Sequence, residues 1–98
     1  MNLKVGDVWL GKSKEYPGLY FTFQLVAEST DDKGNWHILG IKHITKKKRF
    51  CVQTAYSAIW FDKNGREFQE DDQHLLFMGF FLYQKSRRKP IALSKEEI

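Results

Sequence analysis

With one cysteine, two prolines and no two glycines adjacent, the 98-residue chain excludes several classes of protein at the outset. Cys51 alone closes no internal disulfide, so nothing requires an oxidising compartment and a cytoplasmic setting is expected. Pro17 and Pro90 make no proline-rich linker, and no segment repeats. The scattered glycines lack the spacing of a dinucleotide or Walker loop, which disfavours nucleotide-dependent enzymes. The longest apolar run, Leu75 to Tyr83, spans nine residues, well short of the roughly 20 a membrane helix requires. The opening residues Met1 to Asp7 lack the apolar block of a secretory signal. A soluble protein with no membrane contact is the expectation.

Aromatic side chains, by contrast, are plentiful: eight Phe, four Tyr and three Trp, 15% of the chain. Each buries about 150–250 Å² when it goes inside, so even a chain this short can form a sizeable core. Hydrophobic and charged shares of 42% and 29% are those of a globular protein, and the length suits one domain. Residues 1–90 read as a single small β-barrel domain and 91–98 as a short polar tail. Sixteen Lys and Arg against twelve Asp and Glu leave a net charge of +4, which favours anionic partners and argues against an acidic DNA mimic.

Periodicity points to strands. Leu19, Phe21, Phe23, Leu25 and Ala27 alternate with Thr22, Gln24 and Glu28, as in a strand with one buried face. Asp31-Asp32-Lys33-Gly34-Asn35 supplies a turn before a second β-rich run from Trp36 to Thr45. The basic run Lys46-Lys47-Lys48-Arg49 is expected at a solvated hairpin tip, because successive like charges repel within a ladder. Asp62-Lys63-Asn64-Gly65 is expected to close a further hairpin, with both central residues at positive φ as Asn-Gly turns favour. Leu75 to Tyr83, apolar at alternate positions of both parities, reads as a central strand buried on both sides or a short buried helix. Ala55 to Ile59 has some helical character, and Ser94 with Glu97 has capping-box spacing too near the end for a stable helix.

About six short strands joined by tight turns favour an all-β fold, with at most one short helix. The expected architecture is a five- to six-stranded antiparallel barrel or strongly curled sheet. The opening Lys4-Val5-Gly6-Asp7-Val8-Trp9, with Val5, Val8 and Trp9 as a first strand before the Glu15-Tyr16-Pro17-Gly18 turn, resembles the first strand of small barrels of the Src-homology and Tudor kind. That resemblance implies a fold only, since such barrels bind proteins, peptides, DNA and RNA alike.

Most of the positive charge falls in three segments: Lys12 and Lys14, Lys46 to Arg49, and Lys85 with Arg87, Arg88 and Lys89. If these meet at one end of a barrel they form a basic rim for phosphates, with Tyr16, Tyr20 and Trp36 as stacking faces. The ordinary alternative is solvated loops that keep a small β protein soluble and its edges unpaired. Arg87 and Arg88 suit bidentate phosphate contacts best. Trp36 and Trp60, beside turns, are candidate anchors for a protein partner if exposed.

Catalysis and metal binding find little support. His37, His43, Cys51 and His74 are scattered, and His37 and His43 lie roughly 20 Å apart along one strand, too far for one ion. Glu67, Glu70, Asp71, Asp72 and His74 cluster in sequence without a nuclease-like spacing, and Cys51 inside an apolar strand lacks an activating environment. The reading is a non-enzymatic basic module, without cofactor or metal, that contacts nucleic acid or a nucleoprotein complex and is monomeric or a homodimer. The alternative is a small phage- or mobile-element-type inhibitor or adaptor that docks on a host protein by an aromatic patch or sheet edge.

Overall fold

The computed structural model describes residues 1–48, 51–68 and 77–90. Five strands, β1 (Val8–Ser13), β2 (Tyr20–Thr30), β3 (Trp36–Lys48), β4 (Cys51–Asp62) and β5 (Phe80–Lys85), form one antiparallel sheet in the order β4-β3-β2-β1-β5. The sheet is strongly curled into a half-barrel, and the described residues include no helix. The return limb after β4 draws the two ends of the sheet together. Glu67 bridges to Phe61 of β4 and Arg66 to Phe81 of β5. The amides of Leu82 and Glu67 extend that link, donating to the carbonyls of Gly65 and Phe80 at 2.7 Å each.

Two hairpin loops share one device. Asp31 Oδ1 accepts the amides of Lys33 and Asn35, and Asp62 Oδ1 accepts those of Asn64 and Arg66, all at 2.8–3.0 Å. In each loop the glycine three residues on, Gly34 or Gly65, donates to the aspartate's carbonyl and takes a positive φ. No other residue type among those described has positive φ. The expectation of positive φ at Asn64 is therefore corrected: the loop is a type I turn closed by a glycine bulge, and only Gly65 needs the left-handed region.

Several boundaries differ from the sequence reading. Lys4 to Asp7 form a turn, with the Asp7 amide donating to the Lys4 carbonyl, so β1 begins at Val8 and Val5 lies outside it. Ala55 to Ile59, weakly helical in isolation, is strand, because β3 offers it a continuous ladder partner from Lys48↔Cys51 to His37↔Asp62. The hairpin expected at the basic run is the β3–β4 pair, but Lys46, Lys47 and Lys48 stand in the last three rungs of its ladder and not in a loop. Uncharged Gln53, Val52 and Cys51 stand directly opposite them, so no like charges meet across the strands. Arg49 lies outside the described residues, as do Glu70, Asp71, Asp72, His74 and the 91–98 tail. The apolar segment that ends in Tyr83 is no central strand: β5 starts at Phe80, stands at the end of the sheet, and pairs with β1.

The core is aromatic. Phe23, Phe61 and Phe80 are fully buried; Phe23 meets Phe61 edge-to-face at 5.0 Å and Phe80 at 5.3 Å, and Phe21 meets Phe80 at 5.5 Å. Leu3, Leu25, Ile38 and Leu82 complete the cluster. Glycine is required where these rings cross the backbone. A Cβ on Gly11 would sit 2.6 Å from the Phe23 ring, and one on Gly40 would sit 2.8 Å from the Phe61 ring. On the opposite face a row running Val8↔Gln24↔Ile41 is also buried, which corrects the assignment of Gln24 to a solvated face.

Candidate functional site

Period-two alternation divides β1, β2 and β5 into two surfaces. Gly11, Phe21, Phe80 and Leu82 face the core, while the register sets Lys12 between Tyr20 on one side and Phe81 on the other, facing outward. A bulge between Leu10 and Gly11 pairs them with Gln84 and Leu82, so Tyr83 has no direct partner in β1. The Lys12 ammonium consequently lies 4.4 Å from the Tyr83 ring centroid and 5.5 Å from that of Tyr20. Both distances are within the roughly 6 Å at which a cation is attracted to an aromatic face. Tyr20 is 62% exposed and Tyr83 38%. Leu10, Thr22, Phe81 and Gln84 are the register neighbours on this face, and none is acidic.

The other candidate residues fall at different places. Lys14 is exposed just past β1, its amide donating to the Gly79 carbonyl at 2.9 Å. Because β3 runs in the same direction as β1, its continuation beyond the last β2–β3 pair, Thr22↔His43, carries Lys46 to Lys48, still paired with β4, past β2 at the end of the sheet nearest Lys12 and Lys14. Arg87, Arg88 and Lys89 follow β5 off the other end, since Lys85 pairs with Trp9 at the start of β1. The basic segments therefore do not all meet at one end. Lys85 pairs with Asp7 at 3.4 Å, whereas no carboxylate forms an ion pair with Lys12, Lys14, Arg87, Arg88 or Lys89 among the described residues. Trp36 is half-buried against the core. Trp60, on β4, is 37% exposed, and its carbonyl accepts the Phe68 amide.

Tyr16 is exposed in the turn before β2, where Pro17 and Gly18, at φ +97°, form a type II turn closed by the Leu19 amide on the Tyr16 carbonyl. Tyr83 is the functional candidate that sequence reasoning missed. Its signal was present in the parity of Phe80 and Leu82 against Phe81 and Tyr83, but an all-apolar run hides which parity faces in.

Elsewhere the chemistry is structural. His37 is buried, stacked on Phe68 at 4.0 Å, and its Nε2 lies 4.0 Å from Asp31 Oδ2. The backbone amide of Asn35 is the main reason the Asp31 carboxyl titrates below its ordinary value. Glu67 accepts the amides of Phe80 at 3.2 Å and Met78 at 3.4 Å, which ties the return limb to the start of β5. Lys42 lies over Phe21 and Phe80 at the margin of the core; desolvation lowers its pKa, partly opposed by Glu67. An open groove of about 640 Å³ beside β5 is lined by Lys14, Arg66, Glu15 and Glu67 among others, a mixture of charges that favours neither sign of ligand. Among the described residues no three His, Cys, Asp or Glu side chains are grouped so as to hold a metal ion, and no helix is long and apolar enough to cross a membrane.

No protein-family model, curated protein or solved structure matches this chain.

Proposed function

We propose that this protein is a non-enzymatic binding module for nucleic acid or a nucleoprotein complex. The observation that carries the reading is the exposed Tyr20–Lys12–Tyr83 cluster: a cation held between two solvent-facing rings, with no acidic register neighbour, on a chain of net charge +4. Lys12 and Lys14 supply phosphate contacts at the cluster, and Lys46 to Lys48 extend the positive charge at the same end of the sheet. Arg87, Arg88 and Lys89 serve phosphates at the other end. Contacts of this kind position a polyanion without reading its sequence.

Each phosphate neutralised releases counterions, so affinity for an oligonucleotide is expected to fall steeply between about 50 and 200 mM salt. Fluorescence anisotropy with labelled DNA and RNA measures this directly, and a flat salt dependence removes the reading. Exposed Trp60, on the strand at the other end of the sheet, favours a second reading, docking on a specific host protein as an inhibitor or adaptor. A pull-down from lysate with and without nuclease, at two salt concentrations, separates the two. Partners lost with nuclease or salt belong to the first reading. A stoichiometric protein that survives both treatments but is lost with Trp60→Ala belongs to the second.

A further inference from the structure

A duplex keeps its base faces inside the stack, so exposed aromatic rings on a sheet can stack only on unpaired bases. Tyr20 and Tyr83 are such rings. They project from β2 and β5, the two neighbours of β1, so their strands are about 10 Å apart, two strand spacings. Phe81, half-buried and directly across from Lys12, continues the aromatic surface between them and Arg66, which bridges to it from the return limb. Lys12 holds a fixed positive charge beside both rings, where the phosphate of a stacked nucleotide is in reach. With Lys14 at one end of β1 and Arg87 to Lys89 beyond the other, cations flank the platform along the strand axis.

We infer that the outer face of β2-β1-β5 is a stacking platform for single-stranded nucleic acid, with Tyr20 and Tyr83 each taking an unpaired base and Lys12 the phosphate between them. The inference rests on the nucleic-acid reading above and deepens it, from a general polyanion to a single strand and from charge alone to base stacking.

The test uses the full chain and four fluorescent probes of about 10 nucleotides, a length within the usual site size of such platforms: oligothymidylate, oligouridylate, a mixed-sequence DNA duplex and a mixed-sequence RNA duplex. Wild-type protein is expected to bind the single strands at least about 10-fold more tightly than the duplexes. Tyr20→Ala and Tyr83→Ala are each expected to weaken single-strand binding by about 5- to 150-fold, the range for loss of one stacked base. Tyr20→Phe and Tyr83→Phe, which keep the ring, are expected to retain it. Lys12→Gln is expected to lower the salt-dependence slope by about one phosphate.

Circular dichroism and thermal melting establish that each variant is folded. Equal affinity for single strand and duplex, or a single-strand preference that survives both alanine variants, overturns the inference and leaves the general phosphate-binding reading standing. No binding of any probe at low salt overturns both.

Discussion

On the inner side of the sheet Lys42 lies 4.5 Å from the ring of Phe21 and 5.5 Å from that of Phe80; on the outer side Lys12 lies 4.4 Å from Tyr83 and 5.5 Å from Tyr20. The two arrangements are nearly the same in geometry and share β2 and β5, yet they differ in what surrounds them. Of the inner rings, Phe80 is fully buried in the cluster with Phe23, Leu25, Ile38 and Leu82, and Phe21 packs half-buried against it. The outer rings flank Lys12 and are exposed, Tyr20 the more so. Burial converts aromatic area into stability, whereas exposure leaves the same area free for a partner. The aromatic surplus of this chain is therefore divided between two tasks by the parity of the strand.

Removal of a fully buried inner ring is the strongest way to break that contrast. Phe23→Ala is expected to cost about 3–5 kcal/mol in urea denaturation, because the ring is fully buried between Phe61 and Phe80 and its loss leaves a cavity. Gly40→Ala overfills the same space: its Cβ would stand 2.8 Å from a Phe61 ring that has no solvent-facing side to move towards. A loss of about 1–3 kcal/mol is expected for such overpacking. Wild-type stability in this variant means that the curl relaxes more readily than the packed rings suggest.

The two lysines sharpen the comparison through pH. Desolvation holds the Lys42 pKa below its ordinary 10.5, so between the folded and unfolded values the unfolded chain binds more protons. Stability is therefore lowest below the folded pKa and rises as pH climbs toward 10.5. Thermal melts across the alkaline range are expected to show this rise, and Lys42→Met is expected to flatten it. A Lys42→Met profile that keeps the wild-type slope would assign the rise to another group.

The smallest effect on stability belongs to the outer cluster. Tyr20→Ala and Tyr83→Ala are each expected to change unfolding free energy by no more than about 0.5 kcal/mol, as exposed positions away from the core do. A loss comparable with that of Phe23→Ala would make the outer rings structural and remove the division of labour.

The turns and most strands were legible in local sequence. Asp31 and Asp62, each followed three residues later by glycine, carry their loop geometry in their own side chains. The alternation from Phe21 to Leu25 named Phe23 and Leu25 as core. The stretch that ends in Tyr83 was not legible, because a continuous apolar run contains no polar residue to mark the outward parity. Ala55 to Ile59 was ambiguous for a related reason: its local preference is weak, and a thirteen-residue partner strand, β3, decided it.

By itself the sequence determined that the chain is a small, aromatic-rich, basic β domain, since composition, period-two alternation and turn residues are properties of neighbours along the chain. Only the tertiary structure decided which aromatic rings are free. Register brings Tyr20, Lys12 and Tyr83 together from three strands, and it places Lys46 to Lys48 and Arg87 to Lys89 at opposite ends of the sheet. Strand order, direction and a single bulge set those placements, through hydrogen bonds between segments as much as sixty residues or more apart in the chain.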